Sequence, residues 1–349
     1  MKKWSILIII VVAVLIVVGL MSILLQPVPS NLPRGENSTI AQNLEVPWAM
    51  DFLPNGTIIF TERMGRVNLL SENGTVIRVA DINVSQVTES GLLGVAVHPN
   101  FTQNRYIYLF YTHNGGVNRI SRFTMDGSLV NETVLLDNIP GGSIHNGGRL
   151  KFGPDGKLYA TTGEGGEPSR SQDINSTGGK ILRLNPDGTV PSDNPFGNYV
   201  YAYGLRDPQG LAWSPSGTLY ATDHGSSMND EVNIITRGAN YGWPTIEGNE
   251  NQTGFISPLQ VYTDFTLAPS GIAFSHNSLY IAGLRGSQLR VLNLSSDGNS
   301  VIGEGVLINN LGRIRDVVEN QGFLYISTSN RDGRGFPQSG DDKIIKIKI

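Results

Sequence analysis

The 349-residue chain has no cysteine, which excludes disulfides, thiolate nucleophiles, zinc knuckles and iron–sulfur ligation at once. Any metal must therefore be held by oxygen or imidazole. Charged residues are 16% of the chain, against ~25% in an ordinary soluble domain. A basic excess is also lacking: 26 Lys and Arg against 30 Asp and Glu give a formal charge of −4, so the field that nucleic-acid phosphates require is missing. After Leu25 no helical periodicity is present, which argues against a helical bundle. Glycine, by contrast, is plentiful. The 42 glycines are about 12% of the chain against a usual ~7%, and with 39% hydrophobic residues this is the balance of a folded, turn-rich β protein.

One long hydrophobic run is present. Lys2 and Lys3 precede an apolar stretch over 6–25 interrupted only by Gly19 and Ser22, and twenty residues at ~1.5 Å each span the ~30 Å of bilayer hydrocarbon. The sequence predicts a transmembrane anchor or signal segment over 1–25, a Pro-rich tether over 26–43, and the remaining chain on the extracytoplasmic side. Gln26-Pro27-Val28-Pro29 offers no small-x-small cleavage site, which favours an anchored form over a secreted one. Nine Asn-x-Ser/Thr sequons, at Asn37, Asn55, Asn73, Asn83, Asn100, Asn131, Asn175, Asn251 and Asn293, fit a glycoprotein on that side of the membrane.

Six segments share one design, a Pro, Asn or Gly turn followed by an alternating apolar run: 52–61, 98–112, 152–162, 213–222, 274–283 and 318–328. The clearest are FGPDGKLYATTG from Phe152 and WSPSGTLYATDHG from Trp213, which read as strands leaving hairpins. Each is followed by a second recurring strand, such as GKILRLNPDG from Gly179 and DDKIIKIKI from Asp341. Six units in the chain beyond residue 40 are about 51 residues each, close to known propeller repeats. The expected fold is all-β, a six-bladed propeller over 44–349, its final strand pairing with the start to close the ring. A β-sandwich or two β domains, the runner-up, is disfavoured by the even count.

Polar residues in propeller loops converge on a central channel. Polar, Gly-rich islands lie at 88–94, 143–149, 204–210, 223–231 with 240–244, and 312–316. Arg149, Arg206, Arg313 and Arg315 stand in them, with Arg285 nearby. Arg313 and Arg315 flank Ile314, so on a strand both point the same way. Arginine forks grip carboxylates, which suits a polycarboxylate ligand; structural pairing with Asp316, Asp207 or Glu89 is the alternative. Among the five histidines, His145 directly precedes a repeat strand and is the candidate general base, with Glu164 to orient its ring, provided the loops fold back. His224 is a candidate channel residue. Calcium is the plausible metal, with Gly225 and Ser226 carbonyls beside Asp230 and Glu231 as hard oxygen ligands.

Together, Glu89-Ser90-Gly91-Leu92-Leu93-Gly94, His145-x-Gly-Gly-Arg149-Leu150, Gly204-Leu205-Arg206-Asp207-Pro208-Gln209-Gly210, Asn240-Tyr241-Gly242-Trp243-Pro244 and Arg313-Ile314-Arg315-Asp316 resemble the soluble glucose dehydrogenase and aldose sugar dehydrogenase family. The resemblance covers the chain beyond the tether and implies pyrroloquinoline quinone (PQQ) and calcium as cofactors. It implies that Arg206, Arg285, Arg313 and Arg315 hold the tricarboxylate cofactor with Thr266 beside them, that Glu89, Asp207 and His224 also line its site, and that Gly225, Ser226 and Asp230 surround the calcium. His145 would take the anomeric proton as hydride passes to the quinone, Glu164 would steady the imidazolium, and the aldose would leave as a lactone. Arg206 would share the catalytic centre, and an external quinone, cytochrome or dye would receive the electrons. Glu89 and Asp207 stand where the glucose enzymes carry Gln and Asn, Arg285 where they carry Lys, and Ser226 where they carry Pro. Two added carboxylates cost cofactor affinity unless a cation offsets them. A calcium-dependent lactonase-like hydrolase, which needs no arginine cluster, and a cofactor-free binding propeller, which has no use for His145, are the rival readings.

Overall fold

The computed structural model describes residues 37–349; the segment over 1–25 and most of the tether fall outside them. Among the described residues no helix is long and apolar enough to cross a membrane.

The described chain forms six four-stranded antiparallel sheets, the six-bladed propeller that the repeat predicts. Blade 1 runs Pro47–Phe52, Ile58–Glu62, Arg66–Leu70 and Val76–Asp81 in sequential order. Blades 2 to 5 repeat the order, and their first strands are Leu92–Val97, Leu150–Phe152, Pro208–Trp213 and Pro269–Ser275. First strands of neighbouring blades touch around the axis, including Ile314–Asn320 of blade 6 against Pro47–Phe52 of blade 1, except between blades 3 and 4, where Pro208–Trp213 meets the second strand Leu158–Thr162.

Blade 6 corrects the expected boundary. Its first three strands are Ile314–Asn320, Phe323–Thr328 and Ile344–Lys348, and its fourth is Ser38–Ala41, paired antiparallel with Ser38 opposite Lys346. The ring thus includes residues assigned to the tether, because a last blade without this strand would leave Ile344–Lys348 as an open edge.

The repeat also explains how the blades stack. The six turn-plus-run segments are the second strands, and the second recurring strands are the third ones. In FGPDGKLY the turn glycine, Gly156, has φ of 72° and open space around it, the left-handed geometry that favours glycine. The repeat tyrosine then packs on the aromatic residue that precedes the turn in the next blade. Tyr108 meets Phe152 at 5.1 Å, Tyr159 meets Trp213 at 5.1 Å and Tyr220 meets Phe274 at 6.1 Å. Tyr325 of blade 6 meets Phe52 of blade 1 at 5.0 Å, closing the circle. Tyr108 and Tyr220 are fully buried, so the motif places a large apolar ring between sheets.

First and second strands are antiparallel hairpins, with Leu150 opposite Ala160 and Ile314 opposite Thr328. Residues just before a first strand and just after a second strand therefore emerge on the same face. That face carries the site.

Candidate active site

On this face the blade entrances surround a narrow, polar cavity. Its charged lining is four guanidiniums, of Arg63, Arg313, Arg315 and Arg334, against two carboxylates, Glu89 and Asp332. That is a formal +2 in a protein of net charge −4. Trp48, Gln209 and His224 also face it. Arg63 Nε, Arg315 Nε and His224 Nε2 are buried without a hydrogen-bond partner, which costs ~1–3 kcal/mol per group unless a ligand or water serves them. Burial pushes the Arg315 guanidinium down to about 9, although the Asp332 charge opposes it.

Arg313 and Arg315 do point the same way, and a carboxylate separates them. Asp332 Oδ2 lies 2.8 Å from Arg313 Nε and 3.6 Å from Arg315 Nη2. Burial raises the pKa of Asp332, but the two arginines and the Arg334 N–H outweigh it and hold it below the ordinary carboxylate value. Arg315 Nη1 also donates to Gln209 Oε1 at 3.0 Å, and Gln209 Nε2 donates to Asp207 Oδ2 at 2.9 Å. One polar network therefore joins the arginine pair to the histidines. Arg149 is committed elsewhere: it pairs with Asp316 at 3.0 Å and donates to the Gln209 carbonyl, the structural alternative foreseen for it.

His145 and Glu164 meet, with Nδ1 2.6 Å from Oε1. They sit before the first strand and after the second strand of blade 3, so the hairpin itself brings them together and no special fold-back is needed. Gly163 makes the approach possible, since a Cβ there would lie 2.1 Å from the His145 carbonyl oxygen. Burial pushes the imidazole pKa down, but the hydrogen bond to Glu164 and the charge of Asp207 outweigh it, so His145 is a stronger base than a free histidine. With Nδ1–H donated to the carboxylate, Nε2 is left as the acceptor.

Asp207 is buried beside both histidines, 3.8 Å from His224 Nδ1, and accepts the Gly147 N–H at 2.8 Å. Burial raises its pKa; His224, His145 and these hydrogen bonds more than reverse that. Of the two added carboxylates, Glu89 is thus matched by Arg334 at 2.6 Å, and Asp207 is met by the two imidazoles and by hydrogen bonds from Gly147 and Gln209.

The expected metal loop is arranged differently from the sequence reading. Asp230 accepts N–H groups from Gly225 at 3.0 Å, Leu267 at 2.7 Å and Ala268 at 2.8 Å. Both its oxygens are thereby engaged in tying the 225–229 and 266–268 loops together, and it is a buttress. The Gly225 carbonyl accepts Arg206 Nη1 at 2.8 Å, so its negative pole already holds a cation. Ser226 donates through N–H and Oγ to Glu247, a carboxylate the sequence reading did not weigh. Among the described residues no cluster of three His, Asp or Glu side chains forms a metal site.

Of the residues singled out from the sequence, Glu89, His224, Arg313 and Arg315 line the cavity, and His145 immediately precedes lining residues Asn146 and Gly147. Arg206 stacks 5.4 Å over Trp243, Thr266 donates to the Ser227 carbonyl, and Arg285 is exposed in the turn after Ser278–Gly283; these three lie outside the lining. Trp48, Arg63, Gln209, Asp332 and Arg334 were missed. Arg63 and Asp332 follow second strands just as Glu164 and His224 do, so aligning the repeats would have found them.

The profile of the glucose/sorbosone dehydrogenase family matches residues 44–338. The chain is 31% identical to an aldose sugar dehydrogenase of Escherichia coli over 86% of this chain and 92% of that protein. It is 35% identical to quinoprotein glucose dehydrogenase B of Acinetobacter calcoaceticus over 63% of this chain and 54% of that one. Among solved structures, the PQQ-bound aldose sugar dehydrogenase of Streptomyces coelicolor superposes with a TM-score of 0.86 at 37% identity, covering 90% of this chain and 99% of that one. The chain therefore belongs to the glucose/sorbosone dehydrogenase family, as an oxidoreductase of the sugar dehydrogenase type.

Proposed function

We propose that the protein is a PQQ-dependent, calcium-assisted aldose sugar dehydrogenase that oxidises the anomeric carbon to a lactone. The observation that carries this reading is a cation-rich cavity in an acidic protein, placed beside a histidine whose Nε2 is free to take a proton. The PQQ-bound Streptomyces relative supports the choice of anion, and the unpartnered nitrogens of Arg63, Arg315 and His224 fit an acceptor-rich ligand.

Arg313, Arg315 and Arg63 would bind carboxylates of the cofactor, with Arg206, Thr266 and Arg285 at its edge. The carbonyls of Gly225 and Ser226, with Glu247 beside them, would hold calcium after Arg206 releases the Gly225 oxygen. Bound quinone would supply a two-electron acceptor and calcium a Lewis acid. His145 Nε2 accepts the anomeric hydroxyl proton, and Glu164 holds the ring in the required tautomer and stabilises the resulting imidazolium. Arg206, stacked on Trp243, is placed to donate to the sugar oxygen as charge develops on it. Loss of the hydroxyl proton and the C1 hydride converts the aldose to its lactone, and an external quinone, cytochrome or dye takes the electrons. An extracytoplasmic, membrane-anchored location fits the leader and the sequons.

The test is to titrate the apoprotein with PQQ and calcium and follow dye reduction with a panel of aldoses. Dye reduction that needs both additions supports the reading. Tight PQQ binding without turnover on any sugar would refute it, and lactone hydrolysis by the apoprotein would favour the hydrolase.

A further inference from the structure

We propose that Glu89 and Arg334 form a clasp across the cavity mouth that positions the backbone of His145; the catalytic part of this inference rests on His145 being the base. His145 has φ of 53°, a left-handed conformation that a non-glycine residue keeps only where its surroundings over-determine it. Three contacts do so. Its ring is held by Glu164 and its carbonyl accepts the Gly165 N–H at 3.0 Å. Its own N–H donates to Glu89 Oε2 at 2.9 Å. The first two arise within blade 3, whereas Glu89 lies in the loop entering blade 2.

Glu89 is itself held by both ends. Its N–H donates to the Ser143 carbonyl at 3.0 Å, so the 88–90 and 143–145 segments are joined. Its other carboxylate oxygen, Oε1, accepts Arg334 Nη1 at 2.6 Å across 245 residues of sequence. Arg334 in turn is placed by its N–H on Asp332 Oδ1 at 2.9 Å, and the Asp332 carbonyl accepts Arg63 Nη2 at 3.2 Å. A continuous series of contacts therefore runs from the arginines of the cavity through Asp332, Arg334 and Glu89 to the amide of the base.

Arg334 is half exposed, and an exposed ion pair contributes little to global stability. Its local effect is different. With each oxygen committed to a different donor the Glu89 carboxylate cannot rotate, and sub-ångström placement of a catalytic group decides rate. A glutamine here could accept the His145 N–H but could not close the clasp. Glu89 is thus a positioning residue.

The test uses Arg334→Gln, Arg334→Lys, Glu89→Gln and Glu89→Ala in the full chain, with thermal melts confirming folding. Amide hydrogen exchange is read first, on the apoprotein, in the peptide containing His145. Arg334→Gln and Glu89→Ala are expected to speed exchange there by about tenfold, the scale of losing one local restraint, with Arg334→Lys near wild type and Glu89→Gln between. At saturating PQQ kcat is expected to fall several-fold in Arg334→Gln and more in Glu89→Ala, with sugar KM unchanged. Salt at 0.5 M, well beyond the screening range of ~0.15 M, should slow wild type towards Arg334→Gln and leave that variant unaffected. Unchanged exchange in both variants would overturn the clasp whatever the chemistry. Faster exchange with unchanged kcat, or a loss confined to KM or cofactor affinity, would overturn the positioning role. A wild type that oxidises no sugar while exchange still responds removes the proposed function and leaves the clasp supported.

Discussion

Asp332→Asn isolates the charge on which the cavity's cations depend. The side chain is 2% exposed and lies between Arg313 and Arg315, themselves 10% and 6% exposed. Asparagine keeps the size and one oxygen for Arg313 Nε, but it turns charge-assisted hydrogen bonds into neutral ones and leaves two buried guanidiniums with no anion between them. Removing one member of a buried pair destabilises by about 3–5 kcal/mol; because water can enter this cavity, the lower end, about 3 kcal/mol, is the expected loss. Urea unfolding at low salt measures it without screening. The pH dependence follows from the sign of the shift. The folded pKa of Asp332 is depressed, so its contribution is fully present above the unfolded value of ~3.8 and is lost as pH falls through the lower folded value. The difference between wild type and variant should be flat from pH 5 to 8 and shrink below about 4. A loss under about 1 kcal/mol at pH 7, the value for an exposed pair, would show that the arginines do not need this carboxylate.

His145→Ala should keep the fold and PQQ binding and lose about two to four orders of magnitude in kcat; steady-state kinetics with unchanged turnover would remove His145 from the chemistry. Glu164→Gln removes the charge and turns the charge-assisted hydrogen bond that raises the His145 pKa into a neutral one, so the acid limb of the kcat profile should move to lower pH while the plateau falls by about tenfold or more; a limb that moves up would contradict the pairing. Arg313→Ala should weaken PQQ binding in a fluorescence titration with little change in kcat at saturation, and equal affinity would refute the clamp. Lys180→Met removes a buried ammonium that donates to the carbonyls of Arg170 at 2.6 Å, Ser171 at 2.9 Å and Gly178 at 2.6 Å. Orphaning three acceptors should cost about 3 kcal/mol or more and loosen the Pro168–Ser171 turn, which protease sensitivity of that segment would report.

How far the sequence exposes this molecule depends on which strand of a blade is asked. Second and third strands are visible because their side chains meet a repeated environment: at four of the six blade junctions a second-strand tyrosine packs against the next blade's aromatic residue. First strands are nearly invisible. Leu150–Phe152 has three residues, and Pro208–Trp213 reads as part of a polar island, because their N-terminal ends serve the cavity and only the remainder serves the core. Fourth strands vary from three residues in Gln260–Tyr262 to twelve in Ser128–Ile139. They are the outer strands, and several, such as Val76–Asp81 and Ser128–Ile139, bury only one or two side chains, so packing imposes little shared pattern on them, and Ser38–Ala41 was consequently read as tether. The site divides along the same line. Arg313 and Arg315 were legible because strand alternation fixes their direction, and His145 because it directly precedes a repeat strand. Asp332 and Arg334 were not. Nothing in their local sequence distinguishes them from an ordinary polar loop. Asp332 meets Arg313 and Arg315 through the blade 6 hairpin, as Glu164 meets His145 in blade 3, so comparing the residues after each second strand is the sequence route to it. Arg334 reaches Glu89 at the entrance to blade 2 across 245 residues of sequence, a contact that only closure of the ring brings about and that no local pattern announces.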